Sequence, residues 1–320
     1  MEHYRFSFYL LTLAFSVAVM SAGRGVANDN AANSKSVKPP VAAVKPKVLE
    51  SHGVKRTDNY YWLRERDNPE VIAYLNAENQ FADAMMADVK PLEAELFTEI
   101  TARIKQDDSS VPYLDRGYLY YSRFEEGQQY PVYCRKADRD NATEEVMLDV
   151  NQLAEGKAYC SVTGVRVSRD SKRIAFGVDF NGRRKYNLRF KDLTTGELLT
   201  DEVENISGSC VWAADSETVF FTRKDPVTLR AYLVVRHKLG TPASEDVVVC
   251  EETDEEFYCG VSHSRSREYI IIQSGQTISN EYRYLAADDP TGEFKVFAAR
   301  EPGHEYSMNH IGEYLYIRSN

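Results

Sequence analysis

The chain has 320 residues, with 39 Lys and Arg against 49 Asp and Glu, and a formal net charge of −10. Charged residues make up 28% and apolar ones 43%, a globular balance that excludes wholesale disorder and a collagen or coiled-coil fibre. The acid excess argues against a general nucleic-acid binder, which needs a basic face to neutralise phosphate. The length leaves room for one large domain or two smaller ones.

Residues 1–27 read as an export signal. Arg5 is the n-region cation, Phe6–Met20 is an apolar run of 15 residues, and the small residues that follow suit cleavage after Ala22 or Ala27. Fifteen residues fall short of a bilayer span, which needs about 20. An uncleaved anchor is the alternative, and membrane contact is expected through this segment alone. Export implies a periplasmic or secreted protein. Residues 28–46 alternate small and polar residues with Pro39, Pro40 and Pro46 and read as a flexible tether. Residues 1–46 hold five basic and two acidic side chains, so the remainder carries −13.

Residues 47–108 read as a helical N-terminal segment. Asp67-Asn68-Pro69-Glu70 is a helix start: a capping side chain, Pro in the first turn, and an acid at the positive end of the dipole. That helix runs toward Met86. A second starts at Lys90-Pro91, where Leu92, Leu96, Ile100 and Ile104 recur every four residues as one apolar stripe ending near Lys105. The aromatic cluster Tyr60-Tyr61-Trp62-Leu63 requires a burial partner.

From residue 109 short β-branched and aromatic runs separated by turn residues replace the helical spacing. They repeat. Strand-like runs centred on Ile174, Val219, Tyr269 and Tyr314 lie 45, 50 and 45 residues apart, and Tyr118 precedes Ile174 by 56. Each of the first four runs is followed 12 or 13 residues later by a second run, as Tyr186-Asn187-Leu188 follows Arg173-Ile174-Ala175-Phe176. A period near 45 with several short strands per unit predicts β-propeller blades, four of them and the beginning of a fifth by Asn320. A β-sandwich is the alternative, but it does not require equal units. Blades need neighbours on both sides, so the chain reads as part of a larger ring.

No catalytic motif emerges. Gly260-Val261-Ser262-His263-Ser264 lacks the second Gly of a nucleophile elbow, and no HExxH, Walker loop or GxGxxG is present. His304 and His310 lack a ligand pattern, and the acidic clusters Asp107-Asp108, Glu125-Glu126 and Glu251–Glu256 read as solvated loops. No cofactor or metal is expected, and nothing signals an oligomeric state. Asn141 and Asn205 sit in glycosylation sequons, relevant only in a eukaryotic secretory host. The five cysteines, Cys134, Cys160, Cys210, Cys250 and Cys259, are odd in number and irregularly spaced. They read as small buried hydrophobes, with one pair, Cys250 and Cys259, left open.

Asp58–Arg64 and Pro69–Asn79 resemble the N-terminal segment of the prolyl oligopeptidase family. Arg103–Tyr113, Tyr120–Arg123, Glu125–Pro131, Val211–Asp215, Arg236–Thr241, Glu251–Tyr258 and His304–Ser307 resemble its oligopeptidase B branch. The resemblance covers residues 47–320. It implies a mostly β chain: a partial seven-bladed propeller of about four and a half blades over residues 109–320, preceded by the helical segment, in a parent enzyme that adds an α/β-hydrolase domain. The helical segment would pack on that domain. The resemblance further implies a serine peptidase cleaving short basic peptides after Lys or Arg by acyl transfer, with the propeller as a size filter. The Ser-His-Asp triad is expected beyond Asn320, so no catalytic residue is assigned within this chain and the 320-residue chain alone is expected to be inactive. The competing functional readings are a stand-alone, non-catalytic propeller binding module and a periplasmic propeller of another enzyme class, such as a dipeptidyl-peptidase relative.

Overall fold

A computed structural model describes residues 38–320. The expected signal segment, its cleavage points and the start of the tether lie outside the described residues. The chain divides into two compact units, up to Ile104 and from Lys105 to Asn320.

In the first unit, residues 47–58, placed by the sequence in a helical segment, form a β-hairpin of β1 (Lys47–Ser51) and β2 (Val54–Asp58). Its turn, His52-Gly53, has both residues left-handed at φ 51° and 78°, the backbone a two-residue hairpin turn demands. The strands are mostly exposed on both faces, so no apolar alternation announces them. The chain before β1 is tied down: Trp62 Nε1 donates to the Ala43 carbonyl at 2.9 Å, and the Lys45 ammonium lies 4.6 Å from the Trp62 ring centre. Trp62 is thus buried, whereas Tyr60 is exposed. Helix α1 (Pro69–Met85) starts as its sequence dictates, with the Asn68 side chain accepting from the Glu70 amide and Pro69 in the first turn. Helix α2 (Lys90–Ala102) carries the predicted stripe, but Leu92, Leu96 and Ile100 are exposed.

The second unit is built of antiparallel strands. Strands β3 (Tyr113–Asp115), β4 (Tyr118–Arg123), β5 (Val132–Ala137) and β6 (Glu145–Asp149) form the first four-stranded blade. Then come β7 (Ser161–Val167), β8 (Arg173–Asp179), β9 (Tyr186–Asp192) and the 15-residue β10 (Leu198–Trp212). Strands β11 (Thr218–Lys224), β12 (Ala231–Lys238) and β13 (Val247–Glu251) continue the same sheet. The N-terminal half of β10 pairs with β9 and its C-terminal half with β11, with a register shift between Ile206 and Cys210. One strand therefore closes the second blade and opens the third, and a bulge re-aims it. Strands β14 (Tyr258–His263), β15 (Tyr269–Gly275), β16 (Asn280–Ala286) and β17 (Lys295–Ala298) make the fourth blade. Strands β18 (Tyr306–Ile311) and β19 (Tyr314–Ser319) pair as the start of a fifth. The predicted runs at Ile174, Val219, Tyr269 and Tyr314 fall on β8, β11, β15 and β19, each the second strand of its blade.

The core lies between blades. Tyr120, Met147 and Leu148 of the first pack against Ile174, Phe176 and Val178 of the second. Leu188, Phe190 and Val203 of the second meet Trp212, Val219 and Phe221 toward the third. Phe220 of the third meets Ile270 and Leu285 of the fourth. Phe176, Phe190, Phe220 and Phe221 are wholly buried, each contributing roughly 1.5–3 kcal/mol of burial free energy. A blade alone would expose these faces, which is why the repeat must be stacked.

Candidate functional site

The first strands of the four complete blades, β3, β7, the end of β10 and β14, line a common cavity of about 580 Å³. Polar contacts stitch these strands together around it. Trp212 Nε1 donates to the Arg166 carbonyl at 2.9 Å, and His263 Nε2 donates to the Trp212 carbonyl at 2.7 Å. Each ring sits near the end of its blade's first strand and bonds the backbone of the preceding blade. A carbonyl only accepts, so His263 carries its proton on Nε2.

The hairpin turn after each first strand has a non-glycine residue with left-handed backbone: Arg116, Ser171, Ser216 and Arg267, at φ 46°, 61°, 60° and 63°. In the second and third blades an Asp shapes this turn. Asp170 Oδ1 accepts from the Lys172 amide, and Asp215 Oδ1 accepts from those of Glu217 and Thr218. These turns and strand ends bring Arg116, Arg166, Arg169 and Arg267 to the cavity, where Asp115 is the one acid among the described lining residues. Asp115 accepts from Arg267 at 3.0 Å, joining the first blade to the fourth, and from Arg116. Partial burial pushes the Asp115 carboxyl up, but the Arg267 and Arg116 guanidiniums outweigh it and hold the group below the usual carboxylate range. Burial holds His263 below the ordinary imidazole value, and the nearby cations Arg267, Arg116 and Arg166 add to that against the Trp212 hydrogen bond. Tyr120 lines the cavity almost wholly buried, and its hydroxyl has no hydrogen-bond partner among the described residues.

Ser262 and His263, the nearest approach to a nucleophile elbow, lie on β14 and line this cavity. His263 bonds the Trp212 carbonyl, and among the described residues no hydrogen bond joins it to Ser262, so the ring serves as a structural link between blades. His304 and His310 bond the hydroxyls of Ser319 and Ser266, and among the described residues no His, Cys, Asp and Glu group is arranged to hold a metal. The acidic run does not stay wholly solvated. Glu252 is buried and paired with Arg300, which lies over the Phe257 ring, while Arg230 binds the Glu252, Asp254 and Phe257 carbonyls. All five cysteines are buried and free. Cys250 and Cys259 share one core cluster. The Cys259 thiol and the Arg283 guanidinium hold Cys250 below the ordinary thiol value, while Cys259 is pushed up. Sequence reasoning missed the arginine set. Its signal was the repeated turn: three of the four arginines sit between the first and second strands of a blade.

Comparison with known proteins decides the family. The family "Prolyl oligopeptidase, N-terminal beta-propeller domain" matches residues 39–320. The chain belongs to the prolyl oligopeptidase family. It is 47% identical over 303 residues to dipeptidyl aminopeptidase BI of Pseudoxanthomonas mexicana, a match that covers 89% of this chain and 42% of that one. It is 35% identical to protease 2 of Moraxella lacunata, with 89% and 42% covered. The structure of oligopeptidase B from Leishmania major superposes with a TM-score of 0.83 at 32% identity, over 89% of this chain and 43% of that one. Oligopeptidase B from Trypanosoma brucei with covalently bound antipain gives 0.81 at 30% identity, over 88% and 42%. The chain thus spans less than half the length of these relatives. Members of the family are serine peptidases, and this chain is their N-terminal propeller portion.

Proposed function

We propose that the chain is the N-terminal part of an exported serine oligopeptidase that cleaves short peptides after Lys or Arg, with the propeller acting as the size filter. The observation that carries this reading is the family match over residues 39–320, together with structural likeness to two oligopeptidase B enzymes above 0.8 in TM-score. The Ser, His and Asp of the acyl-transfer machinery would lie beyond Asn320, in an α/β-hydrolase domain. There His would take the proton of the Ser hydroxyl, Asp would orient the His, and backbone donors would hold the oxyanion. The 320-residue chain would supply no reacting group. The exposed stripe of Leu92, Leu96 and Ile100 on α2 supports a burial partner for the N-terminal unit, for which the hydrolase domain is our candidate. A periplasmic or secreted location rests on the charged and apolar pattern of residues 1–27.

The 47% identity to a protein named dipeptidyl aminopeptidase favours a second reading, removal of dipeptides from a free N-terminus. One experiment separates the two. The product of the full reading frame is offered Arg-ending fluorogenic substrates with a free or an acetylated N-terminus, alongside a serine-directed fluorophosphonate. Labelling of the full product together with cleavage of the blocked substrate supports the oligopeptidase reading. Cleavage of free dipeptidyl substrates alone supports the second. Labelling of the 320-residue chain itself would overturn the proposal that its chemistry lies elsewhere.

A further inference from the structure

The arginine-lined cavity is more than the inner surface of a filter. Four guanidiniums face one carboxylate, and Asp115 is already shared between Arg116 and Arg267. Among the described residues Arg166 has one acceptor, the neighbouring Val165 carbonyl, at 3.3 Å. The cavity therefore holds cationic donors in excess of its own acceptors. The buried Tyr120 hydroxyl has no hydrogen-bond partner among the described residues, and a buried polar group left so costs roughly 1–3 kcal/mol. Its ring stacks on Tyr113, centroids 5.5 Å apart, so the hydroxyl is held by packing on β3 and β4 rather than free to turn out to water. The same cations, with burial, keep His263 neutral near pH 7. An anion would be matched here by charge, by donors and by a hydroxyl without a partner.

We propose that this cavity is a carboxylate-binding subsite, in which Arg166 and Arg169 take up the anion, Arg267 adds to the field, and the Tyr120 hydroxyl donates to one oxygen. The group that carries the carboxylate is a peptide, as a C-terminal carboxylate or an acidic side chain. That choice of carrier rests on the peptidase reading, whereas the anion subsite does not. A C-terminal carboxylate held here would orient a peptide with its chain end at the first strands, and would draw its Lys or Arg side chains away from the like charge of the cavity.

The test is calorimetric titration of the 320-residue chain with three probes: trialanine, trialaninamide, and acetyl-aspartyl-alaninamide. Trialanine is expected to bind about tenfold more tightly than its amide, the loss of one charge-assisted contact set. Arg166→Gln should remove that preference, and Tyr120→Phe should weaken the acid about three- to tenfold while leaving the thermal midpoint unchanged or raised, because the variant deletes a buried hydroxyl without a partner. The preference should also shrink as salt rises from about 0.05 to about 0.5 M, over which the Debye length falls from roughly 14 to roughly 4 Å. Binding of the aspartyl amide at the strength of trialanine supports the subsite with a side-chain source. Equal binding of trialanine and its amide, or an unaltered preference in Arg166→Gln, overturns it. If the full-length product cleaves no peptide while trialanine still binds here, the peptidase reading fails and the subsite stands. Peptide cleavage without any acid preference fails the subsite alone.

Discussion

Gly164→Ala tests the point where one strand leaves the second blade for the third. Gly164 lies in β7 with φ +61°, inside a register shift against β8. A Cβ there would stand 2.4 Å from the Gly208 carbonyl oxygen and 2.7 Å from Ser209 Cα, both backbone atoms of the bulged stretch of β10. Gly208 is itself at φ +121°, and a Cβ on Gly177 of β8 would meet the same carbonyl at 2.7 Å. Three glycines thus allow β7 and β8 to touch β10 where it changes blades. The left-handed backbone costs an alanine about 1 kcal/mol, and overpacking against main chain adds about 1–3, for a total of roughly 2–4 kcal/mol. Gly196→Ala is the control, with φ +78° and open space around the new methyl, so it carries the backbone cost alone. Urea unfolding followed by tryptophan fluorescence reads both. Trp212 reports on the crossing through its bond to the Arg166 carbonyl, and Trp62→Phe removes the other signal. With a slope of about 3 kcal/mol/M, the Gly164→Ala midpoint should fall about 1 M and the control about 0.3 M. Equal midpoints in the two variants would refute the close approach and with it this account of the strand exchange.

Three further outcomes follow from the same region and its flank. His263 is held below its unfolded value, so its contribution to stability is full above about pH 6.5 and is lost as pH falls through the folded pKa. His263→Gln should therefore flatten the stability-pH curve just below pH 6.5, a difference read by thermal melts at closely spaced pH; identical curves would count against a neutral His263. Asp115→Asn breaks the bridge between the first and fourth blades and should cost about 1 kcal/mol, less at high salt, measured by urea midpoints at two ionic strengths. Cys250, lowered by the Cys259 thiol and Arg283, should be the first of the five cysteines to react with a small alkylating reagent near neutral pH, and Arg283→Met should slow it. Peptide mapping of the labelled chain identifies the site, and Cys210, buried and pushed up, should stay unlabelled until unfolding.

The repeat was legible because each blade's second strand is an almost continuous apolar run. Arg173–Asp179 and Thr218–Lys224 are buried along nearly their whole length, and the turn that leads into each is polar. The caps of α1 were legible for the same local reason, since Asn68, Pro69 and Glu70 act within one turn. The hairpin at Lys47–Asp58 was not, because strands exposed on both faces carry no period. Nor was the double duty of β10, whose register shift between Ile206 and Cys210 depends on contact with Gly164 and Gly177, each some 30 or more residues away in the chain. The stripe on α2 was read correctly as apolar, yet periodicity says which face is apolar and not what covers it. The cavity was illegible for a further reason. Arg116, Arg166 and Arg267 are single exposed residues in sequence, and only the stacking of blades brings them to one space.

Net charge illustrates how far a global quantity can mislead about a site. Residues 47–320 carry −13, which by itself suits attraction of cationic peptides. Charges more than a Debye length away, about 8 Å at physiological salt, are largely screened, so the field in the cavity is set by its own lining. That lining holds four Arg and one Asp, the opposite sign to the whole. The acid excess lies elsewhere, and part of it is neutralised locally, as Glu252 is by Arg300 and Glu144 by Arg123. A basic peptide would thus meet attraction over the outer surface and repulsion of its side chains at the first strands, a combination that favours holding it there by a carboxylate. The sign of the cavity, and not that of the chain, is the quantity on which substrate charge should be tested.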